Sequence, residues 1–424
     1  MSKKFSSPRG TADILPEEIP LWHEIENKTR RLFAIYGYKE IRTPIFEETA
    51  LFSRSLGETS DVVQKQMLNL EKEGLSLRPE GTASIVRSYI ENELDKKEAL
   101  SKFYYIGPMF RGERPQKGRL RQFHQIGIEA IGPGAFQQPL LDAEVIILAA
   151  RLLHIFGLKD FRIKINTLGS KEDKESFSKF LRNNLQKNLS SLCEDCQSRF
   201  ERNVFRILDC KKENCKETVN KLHFDNSYLS SSSQEYYATV KGCLKLVKLD
   251  FEESPKLVRG LDYYSHTVFE ISHSGLGSQD AVGAGGRYNN LIGDLGGEKK
   301  IDVGAVGFSL GIERILLAIG NKENIEGSKP SVFIITLGPQ KADEAAFVLL
   351  NGIREAGISA EMSYMRKSPD KQFSLAEKKG AKFAIVIGED ELKKNIVQLK
   401  DMQMRKQDPI PSDAIIQELK ERLC

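Results

Sequence analysis

Five cationic side chains lie within eleven residues of the segment FRGERPQKGRLRQFHQIGIE, residues 110–129. Such a density of positive charge needs an anionic partner. The residues before it, 102–109, are aromatic and apolar, and those after it, 121–131, alternate with a period of two. The segment is therefore predicted to form a β-hairpin with its loop at residues 114–120, where Pro115 and Gly118 are the turn residues.

The alternation along the second strand also predicts which side chains share a face. Arg121, Phe123, Gln125, Gly127 and Glu129 are expected to project together. This face then carries a cation, an aromatic ring, an amide and a carboxylate, which suits a ligand with a phosphate, a planar ring and an amine-bearing part. The alternative is a basic hairpin tip in solvent, but such a tip does not require polar groups deep in the strand.

A second candidate segment, LRPEGTASIVRSYIEN, places Glu80 and Thr82 at a strand-to-helix turn. The strand is predicted at residues 75–77, and the helix from about Ala83 with Thr82 as its N-cap. A carboxylate and a hydroxyl can meet there with backbone donors on a small ligand, and Glu80 suits an ammonium group. The alternative is a helix cap with an acidic residue at its start.

A third segment, LVRGLDYYSHTVFEI, holds Arg259, Tyr263 and Tyr264 before an alternating strand. An arginine beside a glycine and paired tyrosines indicates a phosphate contact with ring walls around it. A structural salt bridge between Arg259 and Asp262 is the alternative.

Glycines mark the next two segments. Residues 272–297 contain eight glycines, and the compact GAGGRYNN within them allows the backbone to approach a ligand closely. VGAVGFSLGIERIL is predicted to be a strand that enters a helix at residues 309–318. Arg314, near the start of that helix, can add charge to a phosphate or stack on a base. The alternative is that Arg314 pairs with its neighbour Glu313.

Four of the six cysteines have the spacing C-x2-C-x13-C-x4-C: Cys193, Cys196, Cys210 and Cys215. The spacing approaches that of zinc ligands, although the second pair is looser than usual. Two interpretations stay open, a structural zinc and reduced cysteines in a helical segment. The histidines have no convincing partners for metal or nucleophile chemistry, and no Walker loop or dinucleotide fingerprint is present.

The composition is that of a globular protein with more than one domain. The chain has 424 residues, and one hydrophobic core seldom organises so many. Its net charge of +4 is too small to prove nucleic-acid binding, so any basic surface must be local. The N-terminus lacks the apolar core of a signal peptide, and the most apolar helix candidate, residues 145–156, is too short to span a membrane. We therefore expect a cytoplasmic protein.

The elements that must position these side chains follow from the hydrophobic pattern. Helices are predicted at residues 20–36 and 140–156, and a strand at 38–44. From 170 to about 249, Lys, Glu, Ser and Asn dominate and the strand pattern disappears, which predicts an inserted, mostly helical module. The polar segment 321–330 is predicted to be a linker. Beyond it, βαβ alternation predicts a small parallel or mixed sheet covered by helices.

Together these motifs resemble the signatures of the class II aminoacyl-tRNA synthetases, and specifically of the histidyl-tRNA synthetases. PRGTADILP at residues 8–16 is similar to the N-terminal segment of that family, and GYKEIRTPIFE, with Pro44, to motif 1. The basic hairpin is similar to motif 2 and LGIERIL to motif 3. RGLDYY and GAGGRY resemble the two histidine-specific segments, and residues 372–402 an anticodon-binding domain. The likeness covers nearly the whole chain, with the helical insertion matched loosely.

The resemblance implies an α+β catalytic domain at residues 1–325, built on an antiparallel sheet, with the helical insertion at about 170–249. A small α/β anticodon-binding domain is expected at 331–424, and a homodimer through motif 1. The implied reaction joins L-histidine and ATP into histidyl-adenylate and pyrophosphate, and then transfers histidine to the 3′ end of tRNA(His). ATP is implied as a substrate, with Mg2+, and no membrane is involved. One departure is Asn395, which stands where a glycine is expected.

The resemblance also implies roles for individual residues. The residues expected to act on the α-phosphate are Arg111 and Arg259, the latter replacing part of a metal's role. Those expected to bind histidine are Glu80, Gly81, Thr82, Gln125, Glu129, Arg259, Tyr263 and Tyr264. Those expected to bind ATP are Arg111, Glu113, Phe123 and Arg314, with Phe123 and Arg314 on opposite faces of adenine. Those expected to approach tRNA are Gln116, Lys117 and Arg119.

Two other interpretations are weighed. The first is a non-catalytic, synthetase-like regulatory subunit of ATP phosphoribosyltransferase, which is disfavoured because such subunits lack the last domain and lose motif residues. The second is another class II synthetase with the same last domain, which is disfavoured by RGLDYY and GAGGRY together.

Overall fold

The computed structural model describes residues 5–57, 60, 62–71, 73–133, 138–224, 226–277, 280–296, 303–320, 329–365 and 367–423. The chain divides into two compact units, Met1–Glu323 and Asn324–Cys424. Most of the predicted linker, residues 321–328, lies outside the described residues. Among the helices that are described, none is long and apolar enough to cross a membrane.

The first unit is built on a large sheet whose central strands are antiparallel. Within the described residues its strands lie side by side in the order β1 (Lys39–Glu40), β5 (Ser101–Phe110), β6 (Gln122–Pro133), β11 (Val303–Gly311), β10 (Ala281–Arg287), β9 (Ser265–His273), β7 (Phe161–Thr167) and β8 (Glu252–Glu253). The two outermost pairs, β1 with β5 and β7 with β8, are parallel. A small antiparallel sheet joins β2 (Phe46–Glu48), β4 (Leu75–Leu77) and β3 (Leu68–Leu70). The predicted antiparallel-sheet fold class is confirmed.

Helices cover this sheet and form the insertion. In chain order they are α1 (Ile19–Ile35), α2 (Thr49–Leu56), α3 (Thr82–Glu91), α4 (Pro139–Ile155), α5 (Lys171–Leu185), α6 (Glu194–Arg202), α7 (Glu213–Asn220), α8 (Ser231–Leu246), α9 (Asn290–Leu295) and α10 (Ile312–Ile319). The four helices α5 to α8 lie in the segment predicted to be a helical module. Helix α1 buries one face through Trp22, Ile25 and Phe33, and Gly37 at φ +77° leads the chain out of it.

The two faces of β6 serve different purposes. Ile126, Ile128 and Ala130 are fully buried in an apolar core that also contains Phe33 of α1 and Leu152 of α4. The alternate residues, from Phe123 onward, face the other way, as the period of two predicts. Because the core-facing residues hold β6 in place, the polar side chains of the opposite face are attached to a rigid strand.

Three local predictions differ from the structure. Only Lys39–Glu40 of the predicted strand 38–44 pairs in the sheet among the described residues. The helix predicted from residue 309 begins at Ile312, because β11 continues to Gly311 in register with Gln125. Thr82 is the first residue of α3 rather than its N-cap, a position that Gly81 occupies.

The second unit has a mixed sheet covered by helices. Its described strands lie in the order β13 (Ala360–Met362), β12 (Val332–Thr336), β14 (Phe383–Ile387), β15 (Ile396–Asp401) and β16 (Gln407–Pro411). Strand β12 is parallel to both of its neighbours, whereas β15 and β16 add antiparallel pairs. Its described helices are α11 (Gln340–Glu355), α12 (Pro369–Lys379), α13 (Glu389–Lys394) and α14 (Ile415–Leu423).

Asn395 has a clear backbone role in this unit. It ends α13 in the left-handed conformation, with φ 51° and ψ 44°. Asparagine is one of the few residues besides glycine that adopt this conformation readily. The departure from an expected glycine therefore preserves the turn.

Candidate active site

The basic hairpin forms as the sequence predicts. Strands β5 and β6 pair from Ser101 with Ile131 to Phe110 with Gln122, and the N–H of Arg111 donates to the carbonyl of Arg121 at 2.8 Å. At the tip, Gln116 and Arg119 bond to each other through their backbones, and Gly118 has φ +73°. Pro115 precedes this tight turn, and it lies with Arg121 against Gly10 of the N-terminal segment. The loop is thereby held at its base as well as at its tip.

A buried carboxylate forms the floor of the site. Glu129 is 1% exposed. The hydroxyl of Thr82, from α3, donates to its Oε1 at 2.6 Å, and the hydroxyl of Tyr288 donates to its Oε2. Residues from two other chain segments thus converge on the side chain of Glu129.

Glycines make space for this arrangement. Gly307 of β11 lies directly opposite Glu129, and a Cβ at that position would overlap the Glu129 carboxylate. The ring of Tyr105 lies between Gly127 and Gly81, and a Cβ at either glycine would collide with it. Gly307 therefore provides room for a polar side chain.

Burial shifts the pKa values of the two carboxyl groups near the floor of the site, those of Glu129 and Glu80. It raises the pKa of Glu129 to about 8; the nearby Glu80 adds to the shift, and the hydrogen bonds from Thr82 and Tyr288 oppose it. Burial also raises the pKa of Glu80, whereas the hydrogen bonds that its carboxylate accepts from Thr82 and Ala83 lower it. Two carboxyl groups so close together in a dry environment disfavour simultaneous ionisation. A cationic ligand would relieve that cost.

Glu80 itself caps a helix. Its Oε2 accepts the N–H of Thr82 at 2.7 Å and its Oε1 accepts the N–H of Ala83 at 2.9 Å. This is the capping arrangement raised as the alternative for this segment, and it satisfies two of the free N–H groups at the start of α3. Each carboxylate oxygen can accept more than one hydrogen bond, so capping leaves capacity for a ligand donor.

Gln125 lies on the same strand face, nearer the loop. It is 7% exposed, its amide nitrogen donates to the hydroxyl of Ser309 at 3.4 Å, and its carbonyl oxygen Oε1 has no hydrogen-bond partner among the described residues. A buried acceptor without a donor is costly. An ammonium group or another donor from a ligand would satisfy it.

Arg111 and Phe123 contact each other at the mouth of the hairpin. The guanidinium carbon of Arg111 is 5.1 Å from the centroid of the Phe123 ring, a cation–π distance. The Nε of Arg111 donates to the carbonyl of Pro79 at 3.0 Å, which orients the remaining N–H groups. Burial lowers the pKa of Arg111, and the carboxylates of Glu113 and Glu80 oppose the shift. Arg111 and Phe123, which the resemblance assigns to ATP, are therefore neighbours.

The loop also contacts α10. Arg119 donates to Glu113 across the loop at 3.4 Å, and Arg314 donates to the carbonyl of Gly118 at 3.5 Å. Glu313 is not simply a partner for Arg314, because its carboxylate accepts the N–H of His124 at 2.9 Å and lies 2.8 Å from His124 Nδ1. Burial lowers the pKa of Arg314, and the nearby Arg119 adds to the shift. Several cations thus share a small region, where an anion would stabilise them.

Arg259 and the paired tyrosines line another side of the site. Arg259 Nη1 donates to Glu270 Oε2 at 2.7 Å, so the structure shows an ion pair with Glu270, whereas the alternative raised from the sequence was a salt bridge with Asp262. The rings of Tyr263 and Tyr264 lie 4.6 Å apart, and that of Tyr263 is 5.5 Å from the ring of Tyr288. A wall of aromatic rings therefore stands beside the floor carboxylate.

The helical insertion supports this wall. Lys174 of α5 donates through Nζ to the backbone carbonyls of Asp262 at 3.1 Å and Tyr264 at 2.9 Å. Asn203, which follows α6, donates to the Asp262 carboxylate at 2.8 Å. A cavity of about 270 Å³ lies here, lined among others by Arg259 and Arg206. The insertion thus fixes the backbone of the RGLDYY segment from outside the sheet.

Four residues of the site escaped the sequence interpretation: Tyr105, Lys174, Glu270 and Tyr288. Tyr105 could have been found from the sequence, because it lies on the predicted first strand of the hairpin, β5, and is paired there with Gly127 of β6. Tyr288 belongs to the glycine segment that was singled out, but nothing local indicates its contact with Glu129. Lys174 and Glu270 meet their partners only through tertiary contacts.

Family models match both units of the chain. Residues 10–315 match the family model described as histidyl-tRNA synthetase. Residues 331–422 match the one described as anticodon binding domain.

Curated relatives match over nearly the full length. A protein of Bacillus cytotoxicus named histidine–tRNA ligase is 42% identical, with 98% of this chain and 99% of that protein covered. A protein of the same name from Clostridioides difficile is 41% identical over 98% and 99% of the two chains.

Solved structures agree with this. The crystal structure of apo S. aureus histidyl-tRNA synthetase is 37% identical and superposes with a TM-score of 0.79, covering 98% of this chain and 100% of that one. A structure from Bacillus halodurans, described as an ATP phosphoribosyltransferase regulatory subunit/histidyl-tRNA synthetase, superposes with a TM-score of 0.63 over 92% and 99% of the two chains. At 20% identity it shares the fold alone.

Proposed function

This chain belongs to the histidyl-tRNA synthetase family, and from that premise we propose how its residues perform the two steps of histidine charging. The chain is an ATP-dependent aminoacyl-tRNA ligase, and its reaction is the charging of tRNA(His) with histidine. The observation that carries our assignment of residues is the buried carboxylate of Glu129, bonded by Thr82 and Tyr288 and flanked by tyrosine rings.

The histidine subsite lies along the odd-numbered face of β6. Glu129 binds the imidazole of histidine at the floor of the site, with the ring of Tyr264 beside the imidazole. The substrate ammonium group binds higher on the strand, where Gln125 Oε1 is a buried acceptor and the Glu80 carboxylate adds negative charge. The hydroxyl of Thr82 is engaged with Glu129, so Thr82 acts chiefly by orienting that carboxylate. Gly81 keeps this side of the pocket open for the ring of Tyr105.

The ATP subsite lies at the mouth of the hairpin. Phe123 and Arg314 enclose the adenine, and Glu113 orients the base. Arg111 contacts the α-phosphate from the hairpin and Arg259 from the opposite segment. We take ATP as its Mg2+ complex, so that Mg2+ arrives as part of the substrate.

The chemistry requires positioning and charge rather than a nucleophilic side chain. A carboxylate oxygen of histidine attacks the α-phosphorus, a new O–P bond forms, the bond to the bridging oxygen breaks, and pyrophosphate leaves. Negative charge grows on the α-phosphate oxygens during this displacement, and preorganised cations stabilise it. In the second step a hydroxyl at the 3′ end of tRNA(His) attacks the carbonyl carbon of histidyl-adenylate, and AMP leaves.

We also propose a homodimer formed through the motif 1 segment. Ile45 and Phe46 are large apolar residues that are 44% and 51% exposed, and β2 is an edge strand of its sheet among the described residues. Arg78 ties this segment to the catalytic sheet by donating to the carbonyls of Thr43 and Pro108, both at 3.0 Å. Exposed apolar side chains on an edge strand favour association with a second chain.

The tRNA is proposed to contact both units. The second unit matches an anticodon-binding domain, and we assign the anticodon to it. The exposed tip of the hairpin, with Gln116 and Lys117, is assigned to the acceptor end, and Arg119 lies between this tip and Glu113 of the ATP subsite. We place the enzyme in the cytoplasm, where charged tRNA is used.

Pyrophosphate exchange into ATP tests the first step. Exchange should require L-histidine, and the same protein should then charge tRNA(His). Exchange that depends on a different amino acid, and not on histidine, would overturn the substrate assignment. Copurification with a phosphoribosyltransferase and no aminoacylation would favour a regulatory subunit instead.

A further inference from the structure

Four thiol groups of the insertion meet at one point. The sulfur atoms of Cys193, Cys196, Cys210 and Cys215 all lie within 4.8 Å of one another. Cys193 Sγ and Cys210 Sγ are 3.9 Å apart. They come from two stretches of chain, one at the start of α6 and the other around the start of α7.

The spacing of the sulfur atoms suits a tetrahedral cation. A zinc ion bound by four thiolates has Zn–S bonds of about 2.3 Å, which places neighbouring sulfurs about 3.8 Å apart. The bonded sulfurs of a disulfide are only about 2.05 Å apart. The distance between Cys193 and Cys210 therefore matches ligands around a common centre.

The surrounding chain provides further features of a metal site. The backbone N–H of Cys193 donates to Cys215 Sγ at 3.2 Å, the type of contact that stabilises a thiolate and orients a ligand. Cys196 and Cys215 are fully buried, whereas Cys193 and Cys210 are partly exposed. The group is thus enclosed on one side and open to an entering ion on the other.

A metal cross-link would also add to the packing that holds the two short helices together. Helices α6 and α7 have nine and eight residues, and helices this short are not stable alone.

We propose that Cys193, Cys196, Cys210 and Cys215 bind one Zn2+ as four thiolates, and that the ion joins α6 to α7. Binding releases the protons of those cysteines that are not yet ionised, and no redox change is involved. Since Asn203 follows α6 and bonds to Asp262, the ion also stabilises the part of the insertion that supports the RGLDYY segment. This role is structural and does not depend on the assignments of the ATP and histidine subsites.

The metal content of the full chain tests the proposal. Protein purified with a reductant and without chelators should contain about one zinc ion per chain, as measured by inductively coupled plasma mass spectrometry. Cys210→Ala should lose the zinc, while Cys243→Ala, a partly exposed cysteine of α8 outside the group, should retain it. Zinc at equal levels in wild type and Cys210→Ala, or its absence from reduced wild type supplied with Zn2+, would overturn the proposal.

A rescue variant distinguishes the loss of a zinc ligand from misfolding of the insertion. Cys210→His should restore zinc binding, since three cysteines and one histidine form a common zinc site. Replacement of the zinc by Co2+ gives a direct view of the ligands, because tetrahedral thiolate sites show intense visible and charge-transfer bands. We expect these bands in wild type and in Cys243→Ala, shifted in Cys210→His and absent in Cys210→Ala. A wild-type spectrum of six-coordinate Co2+ would contradict four-thiolate binding.

Discussion

The floor of the candidate site and the hairpin loop above it differ in how firmly their side chains are held. Glu129 lies on a strand buried between two neighbours and accepts hydrogen bonds from Thr82 and Tyr288. In the loop, Arg119 reaches Glu113 at 3.4 Å and Arg314 reaches Gly118 at 3.5 Å, which are long contacts for these groups. The floor is therefore preorganised, whereas the loop side chains can rearrange at little cost.

The difference fits the ligands that we propose for the two regions. A small amino acid is distinguished from others by a few polar contacts in a dry pocket, where a misplaced group is costly. ATP and tRNA carry several phosphates and bind through charge that acts over longer distances. The comparison predicts that substitutions on the strands change amino-acid recognition, and that substitutions in the loop change nucleotide or tRNA binding.

The largest effect is expected from Arg259→Ala. Removing a cation from the developing charge on the α-phosphate should lower the rate of adenylate formation about 10²- to 10³-fold, with a modest loss of histidine affinity. Pyrophosphate exchange measures the first quantity and calorimetry the second. Glu270→Gln is the matched control, since it weakens the ion pair but keeps the cation, and it should cost much less. Equal losses in both variants would show that the ion pair is only structural.

Glu129→Gln should act mainly on histidine. The substitution keeps the shape of the side chain but removes the carboxyl group that can ionise when it accepts a hydrogen bond from the bound imidazole, an interaction worth about 1.5–3 kcal/mol. We expect the dissociation constant of histidine to rise roughly 10- to 100-fold, while that of ATP changes little. An equal weakening of both ligands would mean that the floor is not specific to the amino acid.

Glu129 should also make stability depend on pH. Its pKa is about 8 in the folded chain against an ordinary value of 4.5, so between these values the folded state binds more protons than the unfolded state. The free energy of unfolding should therefore fall as the pH rises through this window, by at most about 1.4 kcal/mol per pH unit from this group. Denaturation of wild type and Glu129→Gln across this pH range tests this, because the free energy of unfolding of wild type should fall relative to that of the variant as the pH increases. Parallel curves would contradict the raised pKa.

The smallest effect is expected at the tip of the loop. Lys117→Ala removes one exposed cation, whose interaction is worth roughly 0.2–1 kcal/mol. The variant should bind tRNA(His) about two- to fivefold more weakly, without a change in the rate of pyrophosphate exchange. Arg119→Ala should affect ATP as well, because Arg119 contacts Glu113. Arg114→Ala, at another exposed position of the same loop, is the control for charge alone. A loss with Arg114→Ala equal to that with Lys117→Ala would remove any specific role for Lys117.

Much of this organisation was accessible from local patterns. The period of two after residue 121 correctly predicted the hairpin and the face of β6 that carries Phe123, Gln125 and Glu129. The change of composition at residue 170 predicted the helical insertion. Boundaries were less accurate, since Gly311 still pairs within the sheet although the helix was predicted from residue 309.

The sequence alone determined which residues share a strand face or a helix, because the spacing of neighbours controls both. It also carried the motifs by which the family is recognised. Only the tertiary structure decided that Tyr288 meets Glu129, that Arg259 pairs with Glu270 and that Lys174 supports the RGLDYY segment. Those contacts depend on the order of strands in the sheet and on the path of the insertion. The raised pKa of Glu129 arises in the same way, because distant segments together exclude water from one carboxylate.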